Sequence, residues 1–390
     1  MTIGTVGFIK ERLTQAREAR GLSLVGLADL IGVSSAAISH YEKGDNTPRP
    51  ETLAALANKL NLSTEYFLKA DLVSRQLSRI FWRSLSAATK YARTRAVRRY
   101  EWFVEITTYL REFFDFPECR IPSFDLPDDF RQIDSALIER IAQKTREAWN
   151  LGLGPIPDVI RTLEANGILV ALGSMQSEHL DAFSEFDSDG RAYICVGTDK
   201  QIMVRRRFDS SHELAHLILH RKVDRKTLNK ATDFRLIENQ AHAFANAFLL
   251  PAQSFVDELF TPSLDGFRAL KSRWKVSIAA MIYRSKDLGL VSDEEIKRLW
   301  INLNRRDWRS FEPMDDLPVE MPQMIARCFT TLIDQKIKSK EQILSDLRLP
   351  ARDIEELTGL PAGYLREEPS DTGPTLKRSQ ANNVIAFRRN

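Results

Sequence analysis

The chain has 390 residues, enough for two or three domains each with its own core, and its 43% hydrophobic and 28% charged residues, with no apolar run of spanning length, exclude a disordered chain and a bilayer-crossing one. A net charge of +3 is too small to mark a nucleic-acid binder, so any such reading must rest on local clusters. The three cysteines, Cys119, Cys195 and Cys328, lie far apart with no C-x-x-C pair, which argues against a disulfide framework and against a thiolate zinc site.

The start, "MTIGTVGFIKERLTQAREARG", turns charged and helical at once and lacks the apolar core of a secretory signal, so a cytosolic chain is expected. From Val6 to Ala70 apolar residues recur at helical spacing: Phe8, Leu13 and Ala16, then Leu24, Leu27, Leu30 and Ile31, then Ala37, Ile38 and Tyr41, then Leu53, Leu56, Ala57 and Leu60. Ser23 and Ser34 stand where N-caps belong and Gly32 where a tight turn belongs, which predicts helix, short turn, helix. The stretch "LADLIGVSSAAISHYEKGDNTPRPETLAALANKLNLSTEYFL" resembles the Cro/C1-type (Xre) DNA-binding domain from end to end. The resemblance implies that the helix from Ser35 to Lys43 enters the major groove of a double-stranded DNA operator. Ser35, Ala36, Ser39 and His40 would then lie near base edges, and Lys43 or Arg49 near phosphates. Ser35 replaces the glutamine frequent in that family, which removes a bidentate adenine contact. Repressors of this type usually bind as dimers, so a homodimer is expected. The competing reading is a helical interaction module that keeps the fold without DNA binding.

Residues 71 to 115 contain neither proline nor glycine, and the spacing predicts a long helix or helical hairpin. Arg75, Arg79, Arg83, Lys90, Arg93, Arg95, Arg98 and Arg99 make it locally basic, either extending a DNA footprint or forming a solvated helix face. Proline-bounded loops flank a helix from Ser135 to Trp149. "IPDVIRTLEANGILVALGS" then reads as a helix with a glycine stop and a short strand, and "LDAFSEF" with "GRAYICVG" as a hairpin across "DSDG". The edge of that small sheet is a place where an extended peptide can add as a strand.

"RRRFDSSHELAHLILH" follows. On a helix His212 and His216 lie one turn apart on one face, so both imidazoles reach a single ion, while Glu213 lies about 100° round the helix and contacts its water. The H-E-x-x-H spacing thus supplies two ligands and a base. A third ligand is required, and "IENQAHAFANAFLLP" offers Glu238 and His242, four apart on one face; Glu238 is preferred. "FDSSHELAHLILH" followed by "IENQAHAFANAFLLP" resembles the ImmA/IrrE-type zinc metallopeptidases, whose second motif is E-x-x-A-(N/D)-x-F-A-x-x-L-L-x-P. The correspondence covers most of residues 75 to 300. It implies zinc on His212, His216 and Glu238, with Glu213 as the general base that takes a proton from water and returns it to the leaving nitrogen. His242 replaces the motif's Asn or Asp, so it either orients a ligand from outside the metal shell or replaces Glu238 as a ligand. His220 reads as a cap or surface histidine, Arg205 to Arg207 as a solvated turn or a site for an acidic partner or DNA, and Tyr283 and Arg284 as candidate oxyanion donors.

"FEPMDDLP" is an acidic linker, and helices follow around Met321 to Ile337, Lys340 to Leu347 and Arg352 to Leu357, with a disordered tail. The whole predicts a mainly α protein with a small β-sheet (α+β). It comprises a five-helix DNA-binding domain over 1–70, a helical connector over 71–134, a zincin-like metallopeptidase domain over 135–310, a helical C-terminal region over 311–365 and a tail over 366–390. The function expected is a phage-derived or stress-response regulator that cleaves itself or a partner repressor. The alternatives are a non-proteolytic regulator or antitoxin whose zinc domain senses a ligand, and an interaction scaffold.

Overall fold

The computed structural model describes residues 4–69, 81–82, 90–177, 180–224 and 227–366. The helices Lys10–Ala19 (α1), Leu24–Ile31 (α2), Ser35–Lys43 (α3) and Pro50–Leu60 (α4), with a 3-10 turn at Thr64–Leu68, make the expected five-helix head. Its local signals act as read. Ser23 Oγ accepts from Gly26 N and Ser34 Oγ from Ala37 N, and Gly32 turns the chain at φ 73°. Leu13, Leu27, Ala28, Ile38, Leu56, Tyr66 and Phe67 close a core.

Of the helix expected across 71–115, Lys90–Leu110 (α5) is observed, while 71–80 and 83–89, with Arg75, Arg79 and Arg83, lie outside the described residues. Phe81–Trp82 instead form a short strand (β1), a correction to the reading of helix there. Apolar spacing over so few residues does not separate strand from helix, and two aromatic residues suit a sheet edge.

Helices Ser135–Ala148 (α6) and Val159–Ala165 (α7) lead into strands Leu169–Gly173 (β2), Ala182–Phe186 (β3) and Ala192–Gly197 (β4). Gly167, at φ 78°, ends α7, and a Cβ there would collide with the Glu118 carbonyl. The sheet order is β1-β3-β4-β2, with β3 antiparallel to β4 and β2 parallel to it. β1 lies on the outer edge of β3, Phe81 opposite Ser184 and Trp82 opposite Phe183, so this side of the sheet already carries a short strand from the chain itself, and β2 is the outer strand of the other side.

Alternation along the strands builds two cores on the two faces of the sheet. Val170, Leu172, Ile194 and Val196 face the core formed with helices Met203–Leu219 (α8) and Ala231–Leu249 (α9). Leu169, Ala171, Phe183, Tyr193 and Cys195 face the other, shared by the head, α5 and the C-terminal helices. Helices Ala252–Glu258 (α10), Leu264–Trp274 (α11), Ile278–Asp287 (α12) and Asp293–Arg305 (α13) complete the first body, and Met324–Asp334 (α14), Lys340–Leu347 (α15) and Ala351–Thr358 (α16) the second. The C-terminal helices match the expected spans closely, and residues 367–390 of the expected tail lie outside the described residues.

The head is therefore fastened to the rest. Arg12 Nη1 donates to Glu105 Oε1 at 2.6 Å and Gln15 Nε2 to Glu101 Oε2 at 2.9 Å. Arg20 and Arg99 converge on the buried carboxylate of Asp353 in α16. Among the described residues no single helix is long and apolar enough to cross a membrane.

Candidate functional site

α8 is buried along nearly its whole length, because it lies between the sheet and α9. His212, Glu213 and His216 are at most 1% exposed. Glu238 comes from α9, which packs across α8 through Ile237, Ala241, Phe244 and Phe248. His212 Nε2 and His216 Nε2 are 3.1 Å apart, and the Glu238 carboxylate lies 3.4 Å from the first and 3.3 Å from the second. Donors about 2.0–2.1 Å from a tetrahedral zinc are about 3.3 Å from one another. The three separations thus fit one small cation, and one oxygen of Glu213 lies within 4.8 Å of the two imidazoles.

The electrostatics agree with a donor set arranged for a cation. Glu213 Oε1 and His212 Nδ1 are buried and make no hydrogen bond, a costly arrangement for polar atoms left to themselves. Burial drives the His212 imidazole well below the ordinary histidine range, against the pull of Glu238. Burial also opposes charge on His216, but the bond and charge of Glu238 outweigh it and raise that pKa. For Glu238 burial acts upward and is overcome by the two imidazoles, which hold it far below the carboxylate range. Burial pushes Glu213 up to about 7, with the charge of His216 and the Ser184 hydroxyl pulling the other way. Ser184 Oγ, on β3, donates to Glu213 Oε2 at 2.7 Å.

His242 Nδ1 donates to the Glu238 carbonyl at 2.8 Å, and its ring stacks on Phe208 and meets the edge of His212 at 4.6 Å between centroids. It braces the helix that carries Glu238 and lines an open cleft of about 680 Å³ between α8, α9 and α12. Tyr283 also lines that cleft. Arg284 does not: it is buried, donating to both oxygens of Glu139 and to the Leu250 carbonyl, so it is removed as an oxyanion donor. Arg206 and Arg207 are corrected likewise. They lie within α8, buried, with Arg207 paired to Glu320 and Arg206 bonded to its carbonyl.

Ser184 and Gln240 escape a reading of the sequence, and His220 is only partly placed by it. Ser184 had one weak signal, a polar residue at an inward position of an alternating strand. His220 is the C-cap of α8, as a cap reading expects, yet it is wholly buried; burial pushes it down to about 3. Its Nδ1 meets His216 Nδ1 at 3.0 Å and its Nε2 meets Gln240 Oε1 at 3.0 Å. Gln240 carried no signal.

On the head, Ser35, Ala36, His40, Lys43 and Arg49 are exposed and Ser39 is half-buried, so the expected reading face of α3 points away from the core. His40 Nδ1 pairs with Asp45 at 3.0 Å. Three basic residues of α5 do not extend that face: Arg95 donates to Ser174 O, Arg98 to Glu18 and Glu101, and Arg99 to Asp353.

Residues 13–67 match the family model described as helix-turn-helix, and residues 163–286 match the model of the IrrE N-terminal-like domain. The chain is 37% identical over 62 residues to Repressor protein C2 of Salmonella phage P22, a match covering 16% of this chain and 29% of that one. It is 37% identical over 59 residues to the SPbeta prophage-derived uncharacterized HTH-type transcriptional regulator YonR of Bacillus subtilis (strain 168), covering 15% and 55%. To the HTH-type transcriptional regulator ImmR of the same organism it is 33% identical over 66 residues, covering 17% and 52%. The chain thus spans between 29% and 55% of the curated relatives it matches.

Proposed function

We propose that this chain, which joins a helix-turn-helix domain to an IrrE N-terminal-like domain, is a cytoplasmic DNA-binding regulator carrying a zinc-dependent endopeptidase. In this reading residues 1–70 bind an operator as a homodimer through α3, and residues 135–310 hydrolyse a peptide bond in the chain itself or in a partner repressor. The observation that carries it is the convergence of His212, His216 and Glu238 at separations of 3.1 to 3.4 Å, with the unpaired Glu213 Oε1 beside them.

These three residues would hold the ion, which when bound supplies Lewis acidity to the reaction. Glu213 moves the proton. Ser184 holds its Oε2, which leaves Oε1 to take a proton from the attacking water and deliver it to the leaving nitrogen. His242, bonded to the Glu238 carbonyl, braces the ligand helix at the wall of the cleft that a peptide would enter.

A second reading has its own support. The centre is almost wholly buried and β1 lies on the sheet edge, as suits a zinc domain that senses rather than cuts. The experiment is metal analysis of the purified chain and incubation with zinc, alone and with proteins encoded beside it. One zinc per chain, with fragments that vanish in Glu213→Gln, supports the peptidase. Zinc with DNA binding but no cleavage selects the sensor, and a chain that takes up no zinc overturns both.

A further inference from the structure

Gln240 reaches three partners. Its Nε2 lies 2.8 Å from the Phe130 carbonyl and 2.9 Å from the Ile133 carbonyl, both on the segment entering α6. Two carbonyl oxygens only accept, so the amide nitrogen must face them and Oε1 must face His220. That oxygen carries no proton, so His220 Nε2 donates across the 3.0 Å between them. The Nδ1 atoms of His220 and His216 are 3.0 Å apart, so one of them holds a proton between the two. A His216 whose Nε2 lone pair faces the cation carries its ring proton on Nδ1, which makes it the donor and His220 Nδ1 the acceptor. The chain of bonds thus ends on Nδ1 and leaves Nε2 to present a lone pair.

We propose that His220 and Gln240 are positioning residues that fix His216 in its Nδ1–H form and aim Nε2 at the cation, the direction running from two backbone carbonyls to the metal centre. This rests on the reading of His216 as a metal ligand. A free neutral imidazole in water prefers the opposite tautomer, so the relay reverses an intrinsic preference as well as locking the ring's rotation.

The test uses the full chain, metal-free, with its histidines labelled with nitrogen-15. Only six are present, so single His→Gln variants assign the signals. With pH raised until His216 holds one proton, the expected result is that proton on Nδ1 and the His220 proton on Nε2. His220→Phe fills the same space without an acceptor and should weaken zinc binding about 10- to 100-fold, measured by competition with a chromophoric chelator. His220→Gln, which restores an acceptor, should recover most of that loss. A proton on His216 Nε2 in the native chain overturns the proposal, as does a folded His220→Phe variant binding zinc within about twofold of native. A native chain that shows these tautomers but binds no zinc sinks the metal reading alone and leaves the relay standing.

Discussion

Asp353→Asn tests whether the DNA-binding head is docked rigidly on the rest of the chain. Asp353 Oδ1 accepts from Arg20 at 2.9 Å and Arg99 at 2.9 Å, and Oδ2 from Arg20 at 2.7 Å. The Asp353 and Arg99 side chains are each 5% exposed. Losing the charge leaves two guanidiniums facing a neutral amide, and breaking a buried pair in this way costs about 3–5 kcal/mol. Arg20 keeps its bond to Leu60 O and Arg99 its pairing with Glu356 at 3.0 Å, so about 3 kcal/mol, the lower end, is expected. Trp102 lies beneath both guanidiniums, 5.2 and 6.0 Å from them, and it is one of six tryptophans whose summed fluorescence during urea unfolding follows the transition. The midpoint should fall without a change of slope. Burial alone would raise the Asp353 pKa, but Arg20 and Arg99 outweigh it and lower it from 3.8. The carboxylate's contribution is therefore complete above pH 3.8 and lost as pH falls through the depressed value. The variant should lack that acid-dependent loss. A change under about 1 kcal/mol at neutral pH, as at a surface ion pair, would refute the buried clasp.

Three further outcomes follow from the geometry. Glu238→Gln should lose at least the roughly 10- to 100-fold in zinc affinity that even a supporting residue contributes, whereas His242→Asn should lose less; equal losses by chelator competition would mean that His242 is itself a ligand. Ser184→Ala removes a hydrogen bond that stabilises the Glu213 carboxylate, so the acid limb of kcat/KM against a cleaved partner should move to higher pH; an unmoved limb would separate Ser184 from the proton transfer. Lys43→Ala should weaken operator binding and flatten its salt dependence by about one contact, while Arg98→Ala, which breaks an internal pair, should leave that slope alone; a flattened slope for Arg98→Ala would place α5 on DNA.

Much of this was legible because local chemistry decides it. Caps at Ser23 and Ser34, the stop at Gly167 and the alternation of β2 and β4 are dictated by neighbours a few residues away. The i, i+4 pair His212 and His216 needs only helical geometry, and Glu238 only one further helix packed across it. What stayed hidden depends on distant partners. The polarity of Arg206 and Arg207 says surface, yet Glu320, more than a hundred residues later, takes both inside. Arg98 and Arg99 of α5 read as a solvated face or as part of a DNA stripe, until Glu18, Glu101 and Asp353 claim them. Neither His220 nor Gln240 belongs to a motif: His220 is joined to His216 and to the side chain of Gln240 on another helix, and Gln240 is anchored by backbone carbonyls that any residue supplies.

The sheet is where the two halves of the chain meet, and alternation alone makes it so. Phe183 points to α5, edge-on to Tyr100 at 5.8 Å between centroids, and α5 in turn holds the head through Glu101 and Glu105. The next residue, Ser184, points to the opposite face and bonds Glu213. One strand thus presents successive side chains to the clasp of the DNA-binding head and to the proposed base. The same two residues lie opposite Trp82 and Phe81 of β1, so a short strand between the head and α5 pairs with the strand that braces Glu213. A shift of β3 by one residue would swap its faces, removing both contacts together. Docking of the head and the setting of Glu213 therefore share a single register.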